Sequence, residues 1–182
     1  MRTLDEEIDG LYALPLDEFV AARNELARTV RAEGDRAGAD RVKALRKPTV
    51  STWAANQVAR RDRDGMRALL QAGERLREAH ADLVAGGSPR ELRSATEAER
   101  EAVAKLVAGA REILADAGQT ATEATLERVA KTLHAAALDD EARELLERGR
   151  LERDLDATGF GPLPASLPPR RRAAPGPSPR PE

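Results

Sequence analysis

The chain has 182 residues, with 30 Lys and Arg against 32 Asp and Glu, a formal net charge of −2, 2% aromatic residues and no cysteine. The lack of cysteine excludes a disulfide scaffold, Cys-ligated zinc, an iron–sulfur cluster and a thiol nucleophile. No apolar run reaches the roughly 18 residues of a spanning helix, and the acidic opening MRTLDEEIDG has no apolar stretch, so neither a membrane span nor a secretory signal is expected and a cytoplasmic setting is.

Thr3-Leu4-Asp5-Glu6 fits a capping box and opens a short helix expected to end near Gly10. Leu14-Pro15-Leu16-Asp17-Glu18 reads as a second start, with Pro near the first helical position and acids in the first turn. Phe19, Val20, Arg23, Leu26, Ala27 and Val30 continue it at helical spacing as far as Gly34-Asp35. Ala39, Val42 and Leu45 belong to a helix that Pro48 must end, so 15–33 and 36–46 form either a hairpin or one long helix interrupted at Gly34.

Pro48 and Thr49 then start a helix carrying Val50, Trp53, Ala54, Gln57 and Val58, with a break between Asp62 and Gly65. The next helix carries Leu69, Leu70, Leu76, Leu83 and Val84, and Gly86-Gly87 stops it. Ser88-Pro89-Arg90-Glu91 combines an N-cap Ser, a Pro at the first helical position and a Glu at the third. Behind it Leu92, Ala95, Val103, Leu106, Ala110, Ile113 and Leu114 form one apolar stripe as far as Gly118, a helix of about 43 Å at 1.5 Å per residue, long enough for a coiled-coil spine. Thr120-Ala121-Thr122-Glu123 offers another capping box before Leu126, Val129 and Leu133, and Asp139 caps a last helix containing Leu145 and Leu146. Glu101–Lys105, Glu127–Lys131 and Glu144–Arg148 are spaced as i,i+4 ion pairs.

Alanine supplies 35 residues, as many as Leu, Ile, Val and Phe together. Alanine favours helix and lets helices approach closely, while strand formers are scarce. The expected fold is therefore an all-α bundle of about six or seven helices over residues 1–156. Eight of the eleven prolines lie between Pro162 and Pro181, so 157–182 is expected to be a disordered Pro/Arg-rich tail.

Chemistry is sparse. His80 and His134 lack the Glu three residues earlier that carboxylate-bundle metal sites use, since Arg77 and Lys131 stand there. No phosphate loop or His-Glu-x-x-His motif occurs. The acids sit among bases at helix-face spacing and read as solvated, and both histidines read as boundary residues. No catalytic residue, metal ligand or cofactor is assigned, and a non-enzymatic interaction or scaffold protein, with a protein partner or self-association, is the leading reading. An enzyme would need a pocket gathering His80 or His134 with carboxylates.

The distinctive stretch is Arg41–Arg63. Asp40 to Asp64 holds seven cations against three carboxylates, net +4, and the only tryptophan. Arg41, Lys43, Arg46, Lys47, Arg60 and Arg61, with Trp53 as a stacking platform and Asn56 and Gln57 one turn on, make nucleic-acid binding the alternative, aided by Arg170, Arg171 and Arg172. Thr49-Val50-Ser51-Thr52-Trp53 is also similar to the opening of a helix-turn-helix recognition helix, although Ala44 stands where that pattern usually has Gly. The competing reading places Val50, Trp53, Ala54 and Val58 in the core, with Asn56 and Gln57 at the surface or serving buried polar groups.

Leu11-Tyr12-Ala13-Leu14-Pro15-Leu16-Asp17-Glu18-Phe19 and the run from Lys43 through Lys47-Pro48-Thr49-Val50-Ser51-Thr52-Trp53 to Gln57 resemble a group of uncharacterised all-helical proteins from high-GC Gram-positive (actinobacterial) bacteria. The resemblance covers roughly the first 65 residues. It implies a bacterial cytoplasmic setting and fits the excess of Arg (26) over Lys (4). No activity is assigned to that group, so it implies no site residues.

Overall fold

The structure, a computed structural model, describes residues 3–156. The expected Pro/Arg-rich tail lies outside the described residues, which contain no strand. Eight helices are present among them: α1 (Leu4–Ala13), α2 (Phe19–Ala32), α3 (Arg36–Ala44), α4 (Val50–Arg61), α5 (Arg63–Val84), α6 (Pro89–Asp116), α7 (Glu123–Leu138) and α8 (Asp140–Glu147). The eighth arises because Gly34 separates α2 from α3. Its φ of +96° suits only a residue without Cβ. There the chain turns back on itself, with Arg31 paired to Asp40 at 2.5 Å and Arg23 Nη1 donating to the Leu45 carbonyl at 2.8 Å.

Local signals set most boundaries. Thr3 and Glu6 form the full capping box, Ser88 caps α6 ahead of Pro89, and Asp139 accepts from the Ala142 N–H. Asp62 ends α4 and caps α5 by accepting from Gly65 N–H at 2.7 Å. Four expectations are corrected. The first helix runs through Gly10 to Ala13, because one exposed glycine costs only about 1 kcal/mol inside a helix. The second begins at Phe19 rather than Pro15, after a turn in which Glu18 N–H donates to the Pro15 carbonyl. Thr122 rather than Thr120 caps α7, its hydroxyl accepting from Thr125 N–H at 3.1 Å. Arg148 turns away from Glu144 to pair with Asp9 at 2.9 Å, whereas Glu101–Lys105 and Glu127–Lys131 form as spaced.

The main core joins α4, α5, α6, α7 and α8 around Val58, Leu69, Leu106, Leu114, Leu133 and Leu146. A second core holds α1 to α2 and α3 through Ile8, Leu11, Tyr12, Phe19, Val42 and Leu45, with the Tyr12 and Phe19 rings edge-on at 5.2 Å. The far end of the α5–α6 hairpin closes over Leu76, Ala79, Leu92, Ala95 and Leu138. At the centre lies α4, which packs on α1, α5, α6, α7 and α8 and buries every residue from Ser51 to Ala59. Ala54, Ala55 and Ala59 are fully enclosed, so small side chains make room for helices on several sides at once.

The same close packing reverses the usual effect of replacing a helical glycine. A Cβ on Gly73 would lie 2.4 Å from the Ala137 carbonyl oxygen and 2.8 Å from its Cβ, both on α7. Gly73→Ala is expected to destabilise by about 1–3 kcal/mol despite the gain in helix propensity. Gly10→Ala, with nothing within 4 Å, is expected to stabilise by about 0.5–1 kcal/mol. Urea midpoints of the two variants would move in opposite directions, and a shared direction would contradict the close approach.

Candidate functional site

Thr49 caps α4, its hydroxyl accepting from Thr52 N–H at 3.1 Å, and from there the helix presents two polar rows. The first row is Trp53, Gln57 and Arg60, at i, i+4 and i+7, on one face of the helix. Trp53 Nε1 donates to the Leu14 carbonyl at 2.8 Å, Gln57 Nε2 to the Tyr12 carbonyl at 2.8 Å and Arg60 Nη2 to the Asp9 carbonyl at 2.7 Å. The Tyr12 carbonyl is one of those a helix end leaves without an internal partner, so α4 supplies from outside a bond that α1 cannot make itself. Ion pairs tie the segment after α8 to the same helix α1, with Arg148 on Asp9 at 2.9 Å and Arg150 3.3 Å from Asp5. The Arg150 hydrogen bond holds the Asp5 carboxyl below its ordinary range, helped by the charge of Arg41.

The second row is Ser51, Thr52 and Asn56, and it faces residues 149–155. Asn56 Nδ2 donates to the Leu151 carbonyl at 2.8 Å while its Oδ1 accepts from Leu151 N–H at 2.9 Å. The hydroxyls of Thr49, Ser51 and Thr52 converge on the Asp154 carboxylate, at 3.2, 2.8 and 2.7 Å. Thr132 on α7 accepts from Leu155 N–H at 3.0 Å.

The nine residues singled out for nucleic-acid contact therefore separate. Trp53, Asn56 and Gln57 are buried, and each is bonded to backbone. Arg60 is half-buried between the Asp9 and Gly149 carbonyls, and burial lowers its pKa against the opposing pull of Asp9. Arg41 is exposed but paired with Asp5 at 2.7 Å. Lys43, Arg46, Lys47 and Arg61 are exposed. The first three cluster where α3 gives way to α4, and Arg61 lies a helix length away, about 18 Å for 12 residues. Because α4 is enclosed along 51–59, Ser51, Thr52 and Trp53 of the Thr-Val-Ser-Thr-Trp opening point into the protein rather than toward a groove of DNA, and only Thr49 is exposed.

Two further polar groups escaped the reading by residue type. Glu99 is 2% exposed, with its Oε1 2.7 Å from Nδ1 of the half-buried His134. Its position gives it away, because Glu99 falls in the register of Leu92, Ala95, Val103 and Leu106 on the inward stripe of α6. The Tyr12 hydroxyl is enclosed, and burial with the adjacent Glu152 carboxylate pushes its pKa well above the ordinary value.

Shallow clefts mark the surface of the described residues. One of about 230 Å³ between α5 and α6 is floored by Ala68, Ala72, Ala98 and Ala102. Another of about 470 Å³ between α5 and α8 is lined by Arg63, Met66, Arg67, Leu70, Glu74 and Arg143. Neither is lined by a histidine, and no group of metal-ligating side chains assembles among the described residues. No helix among them is long and apolar enough to cross a membrane.

The chain matches no family model, no curated protein and no solved structure.

A single measurement reports on the α4 environment in solution. Trp53 is the only tryptophan and is 4% exposed. Acrylamide quenching of its fluorescence is expected to be weak in the native protein and strong in urea, and strong native quenching would contradict the burial of α4.

Proposed function

We propose that this protein is a non-enzymatic helical interaction protein that presents its surface to a protein partner or to a second copy of itself, in the bacterial cytoplasmic setting implied by the resemblance of residues 11–19 and 43–57. The observation that carries the reading is how α4 spends its polar side chains. Trp53, Asn56, Gln57 and Arg60 all bond the chain's own backbone, so the most distinctive stretch of the sequence holds the bundle together. Of the cations in that stretch left for outside contact, Arg61 stands alone at the end of α4, and Lys43, Arg46 and Lys47 sit together at the end of the α2–α3 hairpin and in the connection after it. That hairpin has its own small core with α1 and ends in Lys43, Arg46 and Lys47, which are exposed and form no ion pair among the described residues. Unpaired cations on a supported edge favour a partner with an acidic face.

Light scattering of the full chain, carried up to about millimolar concentration, tests self-association, with a mass above the 19.7 kDa of one copy expected if a second copy is the partner. Affinity capture with wild type and with the Lys43→Glu, Arg46→Glu, Lys47→Glu triple variant tests a protein partner. A partner held by wild type and released by the triple variant is expected. A strict monomer that retains nothing would contradict the reading.

The same three cations support nucleic-acid binding as a second reading. It requires a mobility shift at about 50 mM salt that fades steeply as salt rises, because each neutralised phosphate releases a counterion. The triple variant would flatten that slope. A missing shift at low salt would dispose of it.

A further inference from the structure

Residues 149–155 leave α8 and run without helical structure beside α4 and α7 as a strap. What holds them reads like a recognition site for an extended peptide. Asn56 bonds both the N–H and the carbonyl of Leu151, as a neighbouring strand would. Leu151 is 2% exposed within the main core, and Leu155 packs against the same core. Between them the Asp154 carboxylate takes three hydroxyls at the N-terminus of α4, and Thr132 takes the N–H of Leu155. The groove thus selects main chain, a leucine, an aspartate three residues later and a leucine directly after it.

From this arrangement we infer that the α4–α7 groove also accepts the strap of a second copy of this chain, exchanged about a hinge at Arg148–Gly149. The inference rests on the self-association half of the function proposed above and names its contact. The occupant follows from the groove itself, because the sequence it binds is the chain's own. The bonds to Leu151, Asp154 and Leu155 are unchanged if the strap comes from another molecule. The turn after α8 has to open, where Gly149 N–H donates to the Leu146 carbonyl and Arg150 N–H to the Leu145 carbonyl, both at 2.8 Å, and the Arg60 hydrogen bond to the Gly149 carbonyl at 3.2 Å is given up with it. Exchanging one element about a hinge is a low-cost route to a dimer. In the closed form the short connection gives the strap an effective concentration on the order of millimolar, so the monomer dominates at micromolar protein.

Gly149 is the point at which to tip this balance. Its φ of +62° strains any side chain, and a Cβ there would lie 2.6 Å from Arg60 Nε and 2.9 Å from the Asn56 carbonyl oxygen. Gly149→Ala therefore penalises the closed turn; when the hinge opens, residue 149 moves off Arg60 and the Asn56 carbonyl and gives up the Arg60 hydrogen bond to its own carbonyl, while the contacts of Leu151, Asp154 and Leu155 stay available.

The experiment is native mass spectrometry and light scattering of the full-length chain, wild type and Gly149→Ala. The variant is expected to raise the dimer fraction about tenfold or more, because opening removes the strain at residue 149, and excess synthetic peptide of residues 147–156 is expected to return it to monomer. A dimer that the peptide does not dissolve overturns the exchange while leaving self-association standing, and a variant that stays monomeric at about millimolar concentration also overturns it. Should Gly149→Ala fail to fold, hydrogen exchange on wild type decides. The Leu151 and Leu155 amides are expected to exchange at least about tenfold faster than those of Ala54 and Ala55, because the strap opens without global unfolding. Equal protection overturns the inference.

Discussion

Asn56→Ala is expected to destabilise the protein by about 3–5 kcal/mol, a large share of the stability of a domain this size. The side chain is fully buried and satisfies two backbone groups of Leu151 at 2.8 and 2.9 Å. Truncation leaves a buried N–H and a buried carbonyl unpaired, each costing about 1–3 kcal/mol, and frees the strap that closes the main core. Urea unfolding should show a lower midpoint, and the m-value should fall as well if the strap is already detached in the native state. Asn56→Asp sharpens the test. The introduced carboxylate still accepts from Leu151 N–H but faces the Leu151 carbonyl with nothing to donate. Burial and that carbonyl raise its pKa in the folded state above its unfolded value. Below the unfolded value the protonated acid can donate, so the variant's deficit relative to wild type is smallest there and grows as pH rises through the folded value. A deficit that does not change with pH would mean the 56 side chain does not bond the strap.

Trp53→Ala is expected to cost about 3–5 kcal/mol, as for other large aromatic truncations in a core. The indole is 4% exposed, packs in the main core with Leu16 and donates to the Leu14 carbonyl at 2.8 Å. Trp53→Phe keeps most of the apolar contact and loses that bond, so a cost nearer 1–2 kcal/mol is expected. Both variants would also loosen α1 from α4, since Leu14 lies in the link between α1 and α2. Faster proteolysis within residues 14–18 is the accompanying sign. If Trp53→Ala left the urea midpoint unchanged, the indole would not be part of the core.

Helix ends were open to reading wherever the determining atoms lie within a few residues of one another. Thr3 with Glu6, Ser88 with Pro89, Asp62 with Gly65 and Asp139 with Ala142 each place donor and acceptor on neighbouring residues. The same logic shows why some ends shifted. Between Thr120 and Thr122 two residues compete for one cap, and Thr122 takes it, its hydroxyl accepting from Thr125 N–H. Glu144 and Arg148 have the right spacing, but Asp9, far away in sequence, offers Arg148 a closer carboxylate. Glu99 could have been found by register alone, as an acid standing in the apolar stripe of α6.

Alanine content, the scarcity of strand formers and the punctuation by Gly, Pro and capping residues were enough to specify an all-helical chain and the approximate limits of its helices, because propensity and capping act over one or two turns. Which helix becomes the centre was not legible along the chain. Asn56 and Gln57 look the same in sequence whether they face water or an unsatisfied carbonyl. The carbonyls of Tyr12, Leu14 and Leu151 reach α4 from opposite ends of the chain, and the meaning of those side chains exists only once long-range packing has brought them together.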